Sequence, residues 1–409
     1  FFSTLNAQPS TIPVMRIQEL TAYHVRIPLR KAITHASHSR TDTDSLVVCC
    51  RLEDGTEGWG EGLPRAYVTG ETIDSAWQQL GEPGLVGSLS GRYSGLPDVV
   101  ERLRHFRLPA VPGDDRECFG NSVRCAIELS VLDAACRSSG VPLSYVTTLV
   151  PEADPFRQSA NRVRYSGVFT AMSLWGQYVR AIKLRVFGFH QVKVKVGVPG
   201  VDDRRLLQRL RRLLGSSFDL RIDANEAWSC ANLEERLREL TPFGIKSVEQ
   251  PVPHAQVGGL AALRPRLGVP IMLDESLCSL VDARRAIEAG TCDLFNLRLS
   301  KCGGFLSSLL LAAAAHRAGL ACQLGCQVGE TGILSAAGRH FASSVSGLRS
   351  LEGSFDRFLV RETLTREDLT FGRGGYAPAL AGPGLGISID RPALQRVTQA
   401  ELRLSVANP

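Results

Sequence analysis

The stretch Gln191-Val192-Lys193-Val194-Lys195 reads as a short strand with two lysines on one face. Three acidic strand ends follow it: Ile222-Asp223-Ala224-Asn225, Val248-Glu249-Gln250-Pro251 and Leu273-Asp274-Glu275-Ser276. From Lys195 the steps to Asp223, Glu249 and Asp274 are 28, 26 and 25 residues, and a further step of 24 reaches Arg298. Each step is about the length of one strand, one helix and their loops. Outward from this ladder, short apolar strands alternate with helical stretches, and strands are expected near 166–170, 191–195, 220–223, 245–249, 270–274, 294–297, 321–324 and 350–352. Eight consecutive βα units predict an α/β fold closed into a (β/α)8 barrel, with its active site at the carboxyl ends of the strands. The charged ladder falls at those ends.

Ahead of the barrel the pattern is strand-like from Met15 to about Gly60. The run 45–52 leads into the turn Glu53-Asp54-Gly55 before Gly58-Trp59-Gly60-Glu61, which predicts a meander with a hairpin. The polar segments 34–40 and 65–70 read as loops, and 125–135 as a helix, apolar on one side, that Gly140 and Pro142 end. After Glu352 the glycines and prolines of 372–375 and 382–384 suggest a loop returning to the first domain. The expected organisation is a leader or remnant over 1–14 ahead of a natural start at Met15, an α+β capping domain over 15–155, a catalytic barrel over 156–354, and a C-terminal segment over 355–409 that completes the cap. A chain of 409 residues suits two domains.

Composition excludes several classes of function. Hydrophobic residues at 44% and charged residues at 22% are ordinary globular values, and 7% aromatics offer no stacking surface for nucleic acid. The formal charge of +6 is scattered, so a solvated surface with mild attraction for anionic substrates is the expectation. The longest apolar run, 309–315, stops at His316-Arg317, and the first residues lack the basic start of a signal peptide; neither membrane insertion nor export is expected. The 11 cysteines show no CxxC spacing and fit free thiols in a reducing cytoplasm.

The ladder itself carries the chemistry. Two lysines inside a barrel strand have no solvated edge and must face the mouth or be buried at high cost. Any one of Asp223, Glu249 and Asp274 alone would read as a helix cap. Three on neighbouring strands, about 4.8 Å apart, come within reach of one ion. Oxygen ligands without His or Cys favour a hard cation, Mg2+ ahead of Mn2+ or Ca2+. A divalent ion beside two lysines suits removal of a proton next to a carboxylate, since the metal and the cations stabilise the enediolate that forms. Neighbouring positive charge from Lys193 and a metal would lower Lys195 from the ordinary value of about 10.4 towards that of a usable base.

These residues resemble the enolase superfamily in its muconate-lactonizing subgroup, a part of the mandelate racemase/muconate lactonizing enzyme family. The resemblance rests on Lys-x-Lys, Asp223 with Asn225, Glu-Gln-Pro, Asp-Glu-Ser and Arg298-Leu299-Ser300-Lys301-Cys302-Gly303-Gly304, and it runs from Met15 through Gly329-Glu330-Thr331-Gly332. It implies a Mg2+-dependent enzyme with Asp223, Glu249 and Asp274 on the metal, Lys195 as acid/base and Lys193 on the substrate carboxylate. Cap loops holding His35, Arg65 and Tyr67 would close over a small-molecule carboxylate, with Asn225, Glu275, Lys301, Gln327, Glu330 and Glu352 as further substrate contacts. Homo-oligomerisation is implied in the same way. Two departures matter. Arg298 stands where the subgroup has its second acid/base lysine, and arginine is a poor base, so two-base racemisation is disfavoured and one-face chemistry is expected, with Arg298 as electrostatic stabiliser. Leu351-Glu352-Gly353-Ser354 lacks the Asp-x-Asp pair associated with dipeptide epimerases. The expected function is a cycloisomerase-type isomerase. A dehydratase or syn-eliminating lyase acting on an acid sugar or hydroxy acid is the alternative, and a catalytically degenerate metal-binding barrel that serves as a binding protein is the alternative from another class.

Overall fold

The structure is a computed structural model and describes residues 14–34, 39–170 and 172–406. The expected leader, up to residue 13, and the candidate contact His35 lie outside the described residues. The chain opens with an antiparallel meander, β1 (Ile17–Thr34), β2 (Ser39–Leu52) and β3 (Glu57–Gly62). The helix Asn121–Ser138 lies across it. The sequence Gly58-Trp59-Gly60-Glu61-Gly62 shows why. A Cβ on Gly58, Gly60 or Gly62 would sit 2.0, 2.0 or 1.9 Å from backbone atoms of Ala134, Ala126 and Ser122. Alternate residues of a strand share a face, so three glycines there bring the helix down onto bare backbone.

The short β4 (Arg162–Arg164) precedes the parallel sheet, which runs in chain order through β5 (Gly167–Phe169), β6 (Gln191–Lys195), β7 (Asp219–Asp223), β8 (Ile245–Glu249), β9 (Ile271–Leu273), β10 (Leu294–Leu297), β11 (Ala321–Leu324) and β12 (Leu348–Leu351). The Ser166 N–H donates to the Leu351 carbonyl at 2.8 Å, so the first and last strands meet and the sheet curls on itself. These eight strands coincide with those expected, within about two residues at each end; at the last one Glu352 falls just beyond the strand instead of inside it. The tail returns as expected: β13 (Tyr376–Pro378) pairs with β4, and β14 (Thr398–Ser405) pairs antiparallel with β1.

Buried carboxylates join cap to barrel by capping helix N-termini, where unpaired N–H groups and the helix dipole favour an anion. Glu61, on β3, accepts from the Thr331 N–H at 3.1 Å, the Thr331 hydroxyl at 2.7 Å and the Leu334 N–H at 3.2 Å, at the start of helix Gly332–Ser344. Glu128, on the cap helix, accepts from the Leu306 N–H at 2.9 Å at the start of helix Phe305–Arg317. The start of helix Gly332–Ser344 is therefore occupied by the protein's own Glu61. The expected loop at 65–70 holds a helical turn, Ala66–Thr69, ended by Gly70 at φ 78°.

Candidate active site

Register lines up the ladder. Lys195 pairs with Asp223 and Asp223 with Glu249 across β6, β7 and β8, while Asp274 follows β9 directly. Asp223, Glu249 and Asp274 are fully buried. Two residues past Asp223, Asn225 has φ 42°, and next to Glu249, Gln250 has φ 36°, both in the left-handed region that costs a side-chain-bearing residue energy and recurs where a site fixes its geometry. Asn225 uses that turn to contact Lys195 with its side-chain oxygen and to donate to Glu275 Oε1 at 3.2 Å. Gln250 accepts from the Asp274 N–H at 2.9 Å.

Cations thread the acids. Lys193 Nζ stands 3.3 Å from both Asp223 Oδ2 and Glu249 Oε1 and 2.7 Å from Glu352 Oε2. Lys195 Nζ donates to Asp223 Oδ2 at 2.9 Å and keeps 16% of its side chain exposed against 5% for Lys193, so of the pair it is the one open to the mouth. Arg298 Nη2 bridges Glu249 Oε1, at 3.4 Å, and Asp274. Burial works against the Lys193 ammonium, but Glu249, Glu352 and Asp223 outweigh it and hold the group well above the ordinary lysine value. That suits a fixed positive charge and not a base. Asp223, despite burial, is held low by Lys195 and Lys193, and Asp274 by Arg298 and Lys301, so both are anionic. Burial and Asp223 push Glu249 up to about 7.

The other candidates divide. Glu275 is buried, with its Oε2 unpaired, and burial together with Asp274 pushes it up to about 8. Glu330 is half-buried, accepts from the Gln327 N–H at 2.6 Å, and is pushed up to about 8 by desolvation. Glu330 and Glu352 line one cavity with Tyr165, Leu299 and Ser354. Glu352 is committed on both oxygens, to Lys193 and, at 3.2 Å, to Arg221. Tyr67 is half-buried at the seam of cap and barrel, with the Arg40 guanidinium over its ring. Two further candidates are held by the protein's own groups. Arg65 is 1% exposed, and its guanidinium donates to the carbonyls of Asp44, Pro64 and Val328 and to the Thr43 hydroxyl, so it braces cap against barrel. Lys301 does not reach the mouth: fully buried, its Nζ donates to Asp274 Oδ1 at 2.9 Å and to the Asp274 and Asn296 carbonyls at 2.6 and 2.8 Å, so it fixes Asp274 from below.

The sequence reading missed a second polar layer beneath the first. Arg221 contacts Gln323, Ser350, Ser166 and Glu352, and Asn296 and Gln323 donate to the two oxygens of Glu249 at 2.9 and 3.3 Å. Each lies two residues before a strand-end position, at Arg221/Asp223, Asn296/Arg298, Gln323/Gly325 and Ser350/Glu352. A polar residue two places back in an otherwise apolar strand shares the inward face, and that spacing is the signal that reveals them.

Comparison with known proteins places this site. The family model "Enolase C-terminal domain-like" matches residues 177–393. The chain belongs to the enolase superfamily. It is similar to N-succinyl-L-Arg/Lys racemase of Bacillus cereus, at 26% identity over 94% of this chain and 98% of that protein, and to muconate cycloisomerase 1 of Rhodococcus opacus, at 30% identity over 91% and 96%. In structure it resembles the same Bacillus cereus racemase, with a TM-score of 0.82 at 25% identity over 95% of this chain and 100% of the other. It also resembles a dipeptide epimerase of Cytophaga hutchinsonii solved complexed with Mg and the dipeptide D-Ala-L-Val, with a TM-score of 0.80 at 23% identity over 95% and 100%. The capped barrel expected from the sequence is the fold of these enolase-superfamily enzymes, and like them this chain is an enzyme. Among the described residues no helix is long and apolar enough to cross a membrane.

Among the described residues, no group of three or more His, Cys, Asp or Glu stands arranged to hold a metal ion, because Lys193 and Arg298 interpose between the carboxylates. The donor set still fits a hard divalent cation: three buried carboxylates from neighbouring strands, two of them held anionic, and oxygen donors alone. Asp223, Glu249 and Asp274 are the residues that would hold it.

Proposed function

We propose that this enzyme removes the proton α to the carboxylate of a small-molecule substrate and returns it, or expels a group, on one face. The observation that carries the reading is the pairing of Lys195, the more open of two lysines, with a guanidinium at the end of β10. A Mg2+ ion, with Mn2+ as the alternative, held by Asp223, Glu249 and Asp274, would supply positive charge to the developing enediolate. Lys195 takes the proton, and Asp223 and Asn225 hold its Nζ in place. Lys193, kept charged by three carboxylates, offers a fixed ammonium to the substrate carboxylate. Arg298 cannot shed its proton and adds charge and hydrogen bonds on the opposite side, without serving as a second base.

Relatives named racemase and epimerase set the contrast: the resemblance implies a second acid/base lysine where this chain has Arg298. A cycloisomerase-type reaction is the favoured outcome, with syn elimination from an acid sugar or hydroxy acid as the other one-face route. Glu352, directly after β12, is committed to Lys193 and Arg221, which argues against its receiving the ammonium of a free dipeptide. The reading extends to a cap over 15–155, a barrel over 156–354 and a returning segment over 355–409, to action in the cytoplasm, and to self-association. The test is incubation with Mg2+ in D2O and a panel of acid sugars, muconates and N-acyl amino acids, followed by NMR. Deuterium at the α-carbon of one class supports the reading; metal binding without exchange in any class supports the binding-protein alternative.

A further inference from the structure

The helix that follows β5, Leu174–Phe187, is apolar on two sides. Its inner side buries Ala181 and Leu184. Its outer side carries Leu174, Trp175, Tyr178, Ile182 and Val186, all exposed, with Val179 partly buried among them. At 3.6 residues per turn these six positions fall on one face about 140° wide. Trp175 at its edge is 76% exposed. The next two barrel helices show the ordinary arrangement: helix Asp203–Leu214 exposes Arg204, Arg205 and Arg212, and helix Leu233–Leu240 exposes Glu235, Arg236, Arg238 and Glu239. A helix that is hydrophobic all round belongs between two packed surfaces. Arg185, the charged position of the outer face, is turned aside: its Nη1 donates to the Leu213 carbonyl at 2.9 Å.

The apolar surface continues past the helix. Exposed Phe187, in the last turn, stands 6.3 Å from Phe371 between ring centroids; Phe371 stacks with Phe355 at 6.0 Å and Phe355 with Phe358 at 4.9 Å. Phe355 and Phe358, beyond β12, are exposed as well. Of the 13 exposed large hydrophobic side chains among the described residues, eight therefore belong to one surface. With each side chain taken at its full size, their exposed parts amount to roughly 800 Å². The largest apolar patch on a typical monomer is about 300–600 Å², and each partner in a standard interface buries about 800 Å².

We propose that a second copy of the chain docks on this surface, with the two helices Leu174–Phe187 crossing at a two-fold axis. A two-fold contact needs a patch that is complementary to itself. This helix meets the requirement: it contains no carboxylate, the arginine on its outer face is held by its own subunit, and Trp175 and Tyr178 are the residue types that dominate interface energetics. The area fits that occupant, because one copy offers about what one side of a stable dimer buries, whereas a short peptide would leave much of it in water. The inference rests on the self-association proposed above and gives it a surface.

Sedimentation equilibrium of the full chain over a range of micromolar concentrations yields the dimer dissociation constant, and hydroxyl-radical footprinting of the same samples reads Trp175. The expected result is a dimer in which Trp175 is oxidised several-fold more slowly than after dilution to the monomer. Ile182→Glu, at an exposed position and checked by circular dichroism, should raise the dissociation constant by about 100-fold or more, because each dimer would bury two unpaired carboxylates. Tyr145→Glu, at an exposed aromatic outside the patch, should leave it unchanged. A monomer at every concentration overturns both this surface and the self-association. A dimer that survives Ile182→Glu, or in which Trp175 stays fully reactive, leaves self-association standing and overturns this surface. Protection of Trp175 in the monomer also overturns it, since another occupant would then cover the helix.

Discussion

Removing Arg298 sets two effects against each other, and their sizes can be compared. In Arg298→Met the apolar volume is largely kept, while Glu249 and Asp274, both fully buried, lose the guanidinium between them. Lys193 remains 3.3 Å from Glu249 and Lys301 2.9 Å from Asp274, so each acid retains one ammonium. Breaking a buried pair by removing one partner typically costs about 3–5 kcal/mol. The variant should therefore unfold at lower urea by that amount when no metal is present. The same change removes the competitor for the space between the acids. A metal at a hundred times its Kd adds about 2.7 kcal/mol to stability, so Mg2+ should recover most of the loss and should bind the variant more tightly than the unmodified protein. Urea unfolding followed by tryptophan fluorescence, with and without Mg2+, and calorimetric Mg2+ titration measure both. Equal stability without metal, or weaker Mg2+ binding by the variant, would refute the reasoning.

Lys195→Ala should lower α-proton exchange by about 10²- to 10⁴-fold while leaving the fold and substrate binding intact, as shown by NMR exchange rates beside ligand-detected titration. Gly60→Ala should destabilise by about 3 kcal/mol, the upper end for overpacking, because its Cβ would lie 2.0 Å from the Ala126 carbonyl oxygen; chemical denaturation measures the loss. His340, buried in helix Gly332–Ser344 and accepting from the Ser144 N–H at 3.3 Å, is pushed down to about 4 by burial. Between its unfolded value near 6.5 and that value the unfolded chain binds the extra proton, so stability falls as pH drops through this window, by about 3 kcal/mol in all; His340→Gln should flatten that part of a stability–pH curve.

The barrel was legible because each βα unit repeats one pattern, and because three acids and two lysines recur at a step that only strand ends explain. The glycine alternation in Gly58-Trp59-Gly60-Glu61-Gly62 was visible as a turn-and-strand signal, but its meaning needs the helix it admits. What sequence could not show is the direction of long side chains. Arg65 and Lys301 sit at positions consistent with substrate contacts, yet each finds backbone carbonyls nearer than the mouth and is held there.

The most direct test of the central claim is the stereochemical course of α-proton exchange in D2O with Mg2+ bound, read by NMR on the substrate class that exchanges. Deuterium should enter with retained configuration, with no antipode accumulating during many exchange events per molecule, and Lys195→Ala should slow the exchange by about 10²- to 10⁴-fold. Formation of the antipode at the rate of exchange would contradict the account, because it requires a second base where Arg298 stands.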